Sequence, residues 1–170
     1  MSVPSQINST KTYIGRFAPS PTGPLHLGSL ITAVASYIDA KANKGLWLVR
    51  IEDLDPPREP PKAADEILIQ LKRLGLEWDG KVLYQSTRST FYQEALDLLK
   101  ERGLCFKCDC TRPRVKAMGS VYDGSCRGRS VPSENEFAIR LKTESIEIGF
   151  EDLIQGYFQQ NIRKEVGDFI

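Results

Sequence analysis

The chain has 170 residues, of which 41% are apolar and 26% are charged, and its formal net charge is +1. These values are typical of a soluble globular domain, so they exclude collagen-like and largely disordered chains. No stretch approaches the roughly 18 apolar residues of a membrane helix, and the N-terminus does not resemble a signal peptide. We therefore expect a cytoplasmic protein without membrane association. The near-zero charge neither supports nor excludes nucleic-acid binding.

The first third of the chain has the pattern of a strand, a helix and a second strand. Residues 12–18 alternate as a strand does and run into the turn formers of residues 19–24. Apolar residues then recur at helical spacing at Leu27, Leu30, Ile31, Val34 and Ile38. Residues 46–51 form a short apolar run, which predicts a strand buried on both faces. This order requires a parallel βαβ unit, so the predicted fold class is α/β.

Two further helices and a strand pair are predicted after this unit. The first helix ends at Gly75, and the second begins near Thr90, where Thr90 and Gln93 have capping-box spacing. Residues 136–143 and 145–154 alternate again. Their pattern predicts that these two segments form a small antiparallel pair.

A loop rich in proline and glycine leads from the first strand into the first helix. A helix N-terminus has free N–H groups and a dipole that favour an anionic group such as a phosphate. Gly28 would let a ligand approach the backbone closely. His26, the only histidine of the chain, could donate to phosphate oxygens. In isolation such a turn more often only caps a helix, so the loop alone does not define a nucleotide site.

The complete string of residues 16–29, RFAPSPTGPLHLGS, resembles the first signature of class I aminoacyl-tRNA synthetases of the glutamate type. The resemblance implies a Rossmann-type parallel sheet and ATP, with Mg²⁺, as a substrate. The implied ATP signature consists of Pro19, Ser20, Pro21, Thr22, Gly23, Pro24, Leu25, His26, Leu27, Gly28 and Ser29. It also implies that His26, Gly28 and Ser29 are catalytic. His26 and Gly28 would stabilise the pentacoordinate phosphorus as pyrophosphate leaves.

L-glutamate is the second substrate that the resemblance implies. A dicarboxylate needs a fixed guanidinium, because arginine binds a carboxylate through two parallel hydrogen bonds. Arg16 lies at the carboxyl end of the first strand, where open parallel sheets bind ligands. Glu52 follows the next strand and could hold the substrate ammonium, although a capping or solvated carboxylate is the simpler interpretation of Glu52 alone. The implied glutamate-binding residues are Arg16, Phe17, Ala18, Pro19, Ser20 and Glu52.

Residues 49–65 are typical of the branch of this family that acts on queuosine. The resemblance covers essentially residues 12–170. It implies a ligase that forms glutamyl-adenylate and then transfers glutamate to the queuosine base in the anticodon of tRNA(Asp). The expected partners are L-glutamate, ATP and queuosine-containing tRNA(Asp), and the expected state is a monomer. The alternatives are a fragment of an ordinary glutamyl-tRNA synthetase and a non-catalytic zinc- and RNA-binding module.

Four cysteines lie close together in the sequence, at positions 105, 108, 110 and 126. In a reducing compartment such a cluster indicates a metal site before it indicates disulfides. The spacing alone allows a four-cysteine zinc site or, less simply, buried cysteines without a metal. The family resemblance instead implies that one structural Zn²⁺ is held by Cys108, Cys110, Tyr122 and Cys126. Cys105 would then be a spare thiol.

The resemblance also implies a domain division. Residues 12–104 would form the N-terminal half of the catalytic domain, residues 105–165 a zinc-binding insertion with a small antiparallel element, and residues 166–170 a return to the catalytic sheet. The second half of the catalytic fold would follow Ile170, so we expect a fragment of a longer enzyme. Basic residues at 112, 114, 116, 127 and 129 could contact an RNA backbone or form a solvated face.

Overall fold

A computed structural model of the chain describes residues 12–119, 121–132 and 134–170. The chain forms two compact units, Met1–Thr90 and Phe91–Ile170. We call them the first unit and the second unit. Their boundary lies earlier in the sequence than the expected one at residue 105, and their assignment as catalytic and zinc-binding domains stays a prediction. Within the described ranges, every helix is too short or too polar to cross a lipid bilayer.

A three-stranded sheet forms the centre of the first unit. Its strands are β1 (Ile14–Phe17), β2 (Leu46–Ile51) and β3 (Leu83–Tyr84), in that order. Both neighbouring pairs are parallel, and helix α1 (Leu27–Ala42) connects β1 to β2. This arrangement confirms the predicted βαβ unit and the α/β fold class. Strand β3 was not predicted from the sequence, because it is only two residues long.

One hydrophobic core joins β2 to α1 and to α2 (Ala63–Arg73). Trp47 lies at its centre: its indole Nε1 donates to Ser36 Oγ at 3.0 Å, and its ring meets that of Tyr37 edge to face. The fully buried residues of the three elements are Trp47, Val49, Ile51, Ala33, Ala40, Ile67 and Leu71. Leu48, on the opposite face of β2, is only partly buried. The expectation of a strand buried on both faces is therefore wrong, because side chains alternate and only one face meets the core.

The helix predicted from the apolar spacing of residues 27–38 is confirmed as α1, and its small residues face the core. Ala33 and Ala40 are completely buried. Gly15 of β1 lies so close that a Cβ there would be 3.0 Å from Cβ of Ala40. The larger apolar side chains are exposed: Leu27 by 73%, Ile31 by 60%, Val34 by 38% and Ile38 by 60%. The close approach of helix and sheet selects small residues for the contact.

Helix α3 (Ser89–Glu101) continues directly from a 3₁₀ turn at Gln85–Arg88. Thr90 is therefore already inside the helix. The side-chain amide of Gln93 donates to Asp97 Oδ1 at 2.8 Å and does not return to Thr90. The predicted capping box is wrong, because the preceding turn starts the helix.

The second unit contains two separate antiparallel strand pairs. Strand β4 (Cys105–Cys108) pairs with β5 (Ala138–Leu141). Strand β6 (Glu147–Asp152) pairs with β7 (Gly156–Asn161). A short helix, α4 (Arg112–Ala117), lies between β4 and β5 in the sequence. Antiparallel strands are thus confirmed, but the predicted partners are wrong. Each of the two alternating segments pairs with a strand that the analysis missed.

Asp168 anchors the C-terminal residues of the second unit. Its buried carboxylate accepts hydrogen bonds from Arg127 Nε at 2.6 Å, Thr143 N at 2.9 Å and Thr143 Oγ1 at 3.0 Å. Burial raises the pKa of Asp168, but the hydrogen bonds from Arg127 and Thr143 outweigh that effect and hold the pKa below its ordinary value. The carboxylate is therefore ionised at neutral pH. The expected return of residues 166–170 to the catalytic sheet stays a prediction.

Candidate active site and metal centre

The loop after β1 and the start of α1 surround a pocket of about 340 Å³. Its walls are formed by Phe17, Ala18, Pro19, Ser20, Thr22, Gly23, Pro24, Leu25, His26, Ser29 and Thr32. The structure thus brings most of the implied ATP signature around one cavity. The implied site residues that do not line it are Arg16, Pro21, Leu27, Gly28 and Glu52. Thr32 was missed; its hydroxyl donates to the carbonyl of Gly28 at 3.0 Å.

His26 is the N-cap of α1, and its exposed imidazole is held by Ser29. The Nδ1 atom accepts a hydrogen bond from the Ser29 N–H at 3.3 Å. A neutral ring that accepts at Nδ1 carries its proton on Nε2. This Nε2 lies 3.1 Å from Ser29 Oγ and donates to it. Ser29 therefore contacts both ring nitrogens and fixes the tautomer and the orientation of the imidazole at the edge of the pocket.

Gly28 leaves space for the ring of His26. A Cβ at this position would lie 3.2 Å from Cε1 and 3.3 Å from Nδ1 of the imidazole. Such contacts are tighter than ordinary van der Waals separations, so a side chain at Gly28 would displace His26. The sequence alone suggested the close approach of a ligand as the reason for Gly28. The structure supplies a different reason for a glycine here.

Arg16 and Glu52 lie at the ends of neighbouring parallel strands. The exposed Arg16 is the penultimate residue of β1, and Glu52 immediately follows β2. The Glu52 N–H donates to the carbonyl of Pro19 at 2.9 Å, which ties the pocket loop to the end of β2. The Glu52 carboxylate forms an ion pair with Arg50. It is therefore neither a helix cap nor a simply solvated carboxylate.

Three thiols and one phenol converge in the second unit. The Sγ atoms of Cys108, Cys110 and Cys126 lie within 4.8 Å of one another. Tyr122 Oη lies 3.6 Å from Cys108 Sγ and 4.0 Å from Cys110 Sγ. In a tetrahedral site with Zn–S bonds of about 2.3 Å, the sulfur atoms are about 3.8 Å apart. The four groups therefore fit the ligand set of one zinc ion.

Cys105 lies outside this cluster. It precedes Cys108 by three residues on β4, and strand side chains at an odd separation point to opposite faces. Among the described residues, the group of thiols close enough to share a metal contains only the other three cysteines. The geometry does not support a four-cysteine site.

The clustered groups differ in acidity. Burial, followed by a hydrogen bond to Cys126, raises the pKa of the Tyr122 phenol. Burial also raises the pKa of the Cys126 thiol, but hydrogen bonds from Tyr122 and Arg129 outweigh it and lower that pKa to about 7. Of the phenol and the Cys126 thiol, the thiol is therefore the more readily ionised. The neutral phenol would have to release its proton on binding a metal, which makes metal affinity depend on pH.

Two arginines contact the cluster directly. Arg129 donates to Cys126 Sγ at 3.2 Å and forms an ion pair with Asp109. The guanidinium of Arg140 lies over the ring of Tyr122, with its carbon 4.1 Å from the ring centroid. In the sequence, Arg129 was recognisable only as part of a basic region, and Arg140 was not predicted to have a role. No local pattern marks either contact.

Comparison with known proteins identifies the family. The model of the family described as tRNA synthetases class I (E and Q), catalytic domain, matches residues 13–168. The chain belongs to this family. This assignment confirms the resemblance that was inferred from residues 16–29.

Curated relatives of this class I synthetase chain carry the name Glutamyl-Q tRNA(Asp) synthetase. The relative from Klebsiella pneumoniae (strain 342) is 53% identical over 158 residues, which cover 93% of this chain and 54% of the relative. The relative from Neisseria meningitidis serogroup C (strain 053442) is 51% identical over 167 residues, 93% of this chain and 57% of the relative. The chain therefore spans about half the length of the curated relatives it matches.

A solved structure has the same fold as the synthetase chain. It is a glutamate tRNA ligase from Elizabethkingia meningosepticum in complex with its amino acid. The match has a TM-score of 0.76 at 27% sequence identity and covers 92% of this chain and 38% of that one. It confirms the expected Rossmann-type class I fold.

Proposed function

We propose that the protein activates L-glutamate with ATP and transfers the glutamyl group to the queuosine base in the anticodon of tRNA(Asp). The observation that carries this proposal is the pocket around His26, where the residues of the class I signature meet at a helix N-terminus. The name of the curated relatives supports the queuosine acceptor. The complex of the related ligase with its amino acid supports an amino-acid site in this fold.

The start of α1 is suited to the phosphates of MgATP. The first turn of α1 contains no acidic residue, so its free N–H groups and dipole face the pocket without a competing negative charge. His26 would add a hydrogen-bond donor at the same end of the helix if its Nε2–H turned from Ser29 Oγ to a phosphate oxygen. Negative charge grows on the phosphate oxygens as pyrophosphate leaves, and donors that reach these oxygens lower the barrier. Ser29 and Gly28 contribute by holding the imidazole in place.

Arg16 and Glu52 are proposed to bind the amino acid. The exposed guanidinium of Arg16 can take a substrate carboxylate through two hydrogen bonds. Glu52 can take the substrate ammonium, in exchange for part of its present ion pair with Arg50. The loop residues Phe17, Ala18, Pro19 and Ser20 would line the space between these groups and ATP. The carboxylate of glutamate would then attack the α-phosphorus, and pyrophosphate would leave.

The cysteine cluster is proposed to hold one structural Zn²⁺ through Cys108, Cys110, Tyr122 and Cys126. A bound zinc ion would cross-link the end of β4 to the loop that contains Tyr122 and Cys126 and so order a region with little core of its own. We further propose that the protein acts as a monomer in the cytoplasm. The four free cysteines fit that compartment, in which thiols remain reduced.

An ordinary glutamyl-tRNA synthetase is the second candidate. The solved relatives favour it, because they are a glutamate tRNA ligase and a glutamate-tRNA synthetase. The two candidates share the activation step and differ in the acceptor. Comparison of the two tRNA acceptors therefore separates them.

The ATP site is tested by the substitution His26→Ala. We expect MgATP binding to weaken by about 10-fold, because a hydrogen bond to a charged group contributes roughly 1.5 kcal/mol or more. Calorimetric titration of the chain with MgATP measures this change. Lys41→Ala is the matched control, since Lys41 lies at the opposite end of α1 and pairs with Asp79 at the surface. Equal MgATP affinity of His26→Ala and the unchanged chain would refute the proposed role of His26.

A further inference from the structure

Hydrogen bonds to other elements of the first unit anchor both ends of the loop between β1 and α1. At the start of the loop, the carbonyl of Pro19 accepts from the Glu52 N–H at 2.9 Å. At its end, the Leu25 N–H donates to the side-chain Oε1 of Gln70, on α2, at 2.9 Å. The first anchor joins backbone to backbone, so any residue except proline could donate it. The second anchor depends on the chemistry of one side chain.

Backbone donors are scarce in this loop. Residues 19–24 include three prolines, which have no N–H to donate. The next residue, Leu25, immediately precedes His26, the N-cap of α1, so the hydrogen bonds of the helix do not use its N–H. This N–H is partly buried, and leaving it without an acceptor would carry a desolvation cost. Gln70 therefore supplies an acceptor that the local backbone does not.

Leu25 is also held by its side chain, which packs against the core around Trp47. Leu25 and His26 are neighbours in the chain, and both line the pocket at the start of α1. Gln70 is not among the residues that line this pocket. Any effect of Gln70 on a ligand there must therefore pass through Leu25 and His26.

We propose that Gln70 is a positioning residue of the ATP site. Its side-chain oxygen holds the Leu25 N–H and so determines where His26 and the first turn of α1 lie. The inference rests on the proposed function, since it concerns the same pocket. Without the acceptor, the loop would spend part of its time in other conformations. The apparent affinity for MgATP would then fall in proportion to the fraction of molecules that remain competent to bind.

The test compares two substitutions of Gln70. Gln70→Met keeps the length of the side chain and a high helix propensity but removes the strong acceptor. It should weaken MgATP binding roughly 2- to 5-fold. Gln70→Glu keeps an oxygen in the same place and should bind MgATP as the unchanged chain does. Calorimetric titration at about 0.15 M salt, which screens the added charge, measures both affinities.

Gln93→Met is the matched control. It makes the same change at an exposed position of α3, where Gln93 donates to Asp97. The control should leave the affinity for MgATP unchanged. Hydrogen exchange of the Leu25 amide, followed by NMR, gives a second readout that needs no ligand. This exchange should become several-fold faster in Gln70→Met and stay slow in Gln70→Glu.

Three results would overturn the proposal. Equal MgATP affinity of Gln70→Met and the unchanged chain would refute it and leave the proposed function intact. A loss in Gln70→Glu as large as in Gln70→Met would show that the acceptor is not the cause. Absence of MgATP binding by the unchanged chain would refute the ATP site itself, and the proposed function with it. If Gln70→Met does not fold, Gln70→Ala, which also lacks an acceptor, takes its place with the same expected loss of affinity.

Discussion

Substitution of Cys126 by serine is expected to abolish stoichiometric zinc binding. The unchanged chain should retain about one zinc ion per molecule after dialysis, and Cys126→Ser should retain almost none. Cys126 is 1% exposed and contributes one of the four converging ligand atoms. Its loss leaves three ligands, and structural zinc in small peptide domains contributes about 10 kcal/mol or more to folding. Metal content measured by mass spectrometry tests the expectation directly.

The second unit should also lose stability with the metal. Among the residues that the structure describes, its buried apolar cluster contains Cys108, Tyr122 and Cys126, with a few partly buried neighbours. Removing the zinc from such a site leaves little apolar burial to hold the fold together. A chelator should therefore lower the melting temperature of the unchanged chain, and it should have little effect on Cys126→Ser.

Cys105→Ser is the matched control for the metal site. The thiol of Cys105 lies outside the cluster, so this variant should keep one zinc ion per molecule. Loss of zinc from Cys105→Ser would restore the four-cysteine interpretation. Retention of zinc by Cys126→Ser would contradict the proposed ligand set.

Ile67→Ala should cost the first unit about 3 to 4 kcal/mol of unfolding free energy. Ile67 lies on α2, is completely buried and belongs to the core around Trp47. Truncation of a buried isoleucine to alanine removes apolar burial and leaves a cavity, which typically costs about 2 to 5 kcal/mol. Urea unfolding at equilibrium measures the difference.

Ile31→Ala is the control for this second prediction. Ile31 lies on the exposed apolar stripe of α1, so the same change should cost less than about 1 kcal/mol. Similar losses for the two variants would contradict the description of α1, because they would require the stripe that contains Ile31 to be buried.

Sequence reasoning succeeded where the signal is local. The strand at residues 46–51 and the helix before it are marked by periodicity and by the glycine that follows the helix. Gly45 is required sterically as well, because a Cβ there would lie 2.3 Å from the carbonyl oxygen of Tyr13. The residues around His26 are also close to one another in the sequence. The structure brings most of the class I signature, residues 16–29, to one pocket.

The sequence could not indicate which side of α1 faces the sheet. Periodicity identifies an apolar stripe, but it does not say whether the stripe or a row of small residues meets the core. Ala33 and Ala40 occupy the contact because they allow the closest approach.

The predicted strand pairing was wrong because the sequence of β4 was interpreted as a cysteine-rich metal-binding segment. Its partner, β5, lies about 30 residues further along the chain.

Contacts over long sequence separations account for the missed parts of the metal centre. The guanidinium of Arg140 lies over the ring of Tyr122. Arg129 forms an ion pair with Asp109, which is 20 residues away in the sequence. Composition marks these arginines only as basic residues. Their different roles, one paired with a carboxylate and one stacked on an aromatic ring, depend on the three-dimensional fold.

Acceptor choice by the native protein tests the central proposal most directly. Radiolabelled glutamate and ATP are supplied with queuosine-containing tRNA(Asp), with tRNA(Asp) that lacks queuosine, or with tRNA(Glu). The proposed function predicts that label enters only the queuosine-containing tRNA(Asp). Charging of tRNA(Glu), with none of the label on queuosine-containing tRNA(Asp), would contradict it and identify an ordinary glutamyl-tRNA synthetase.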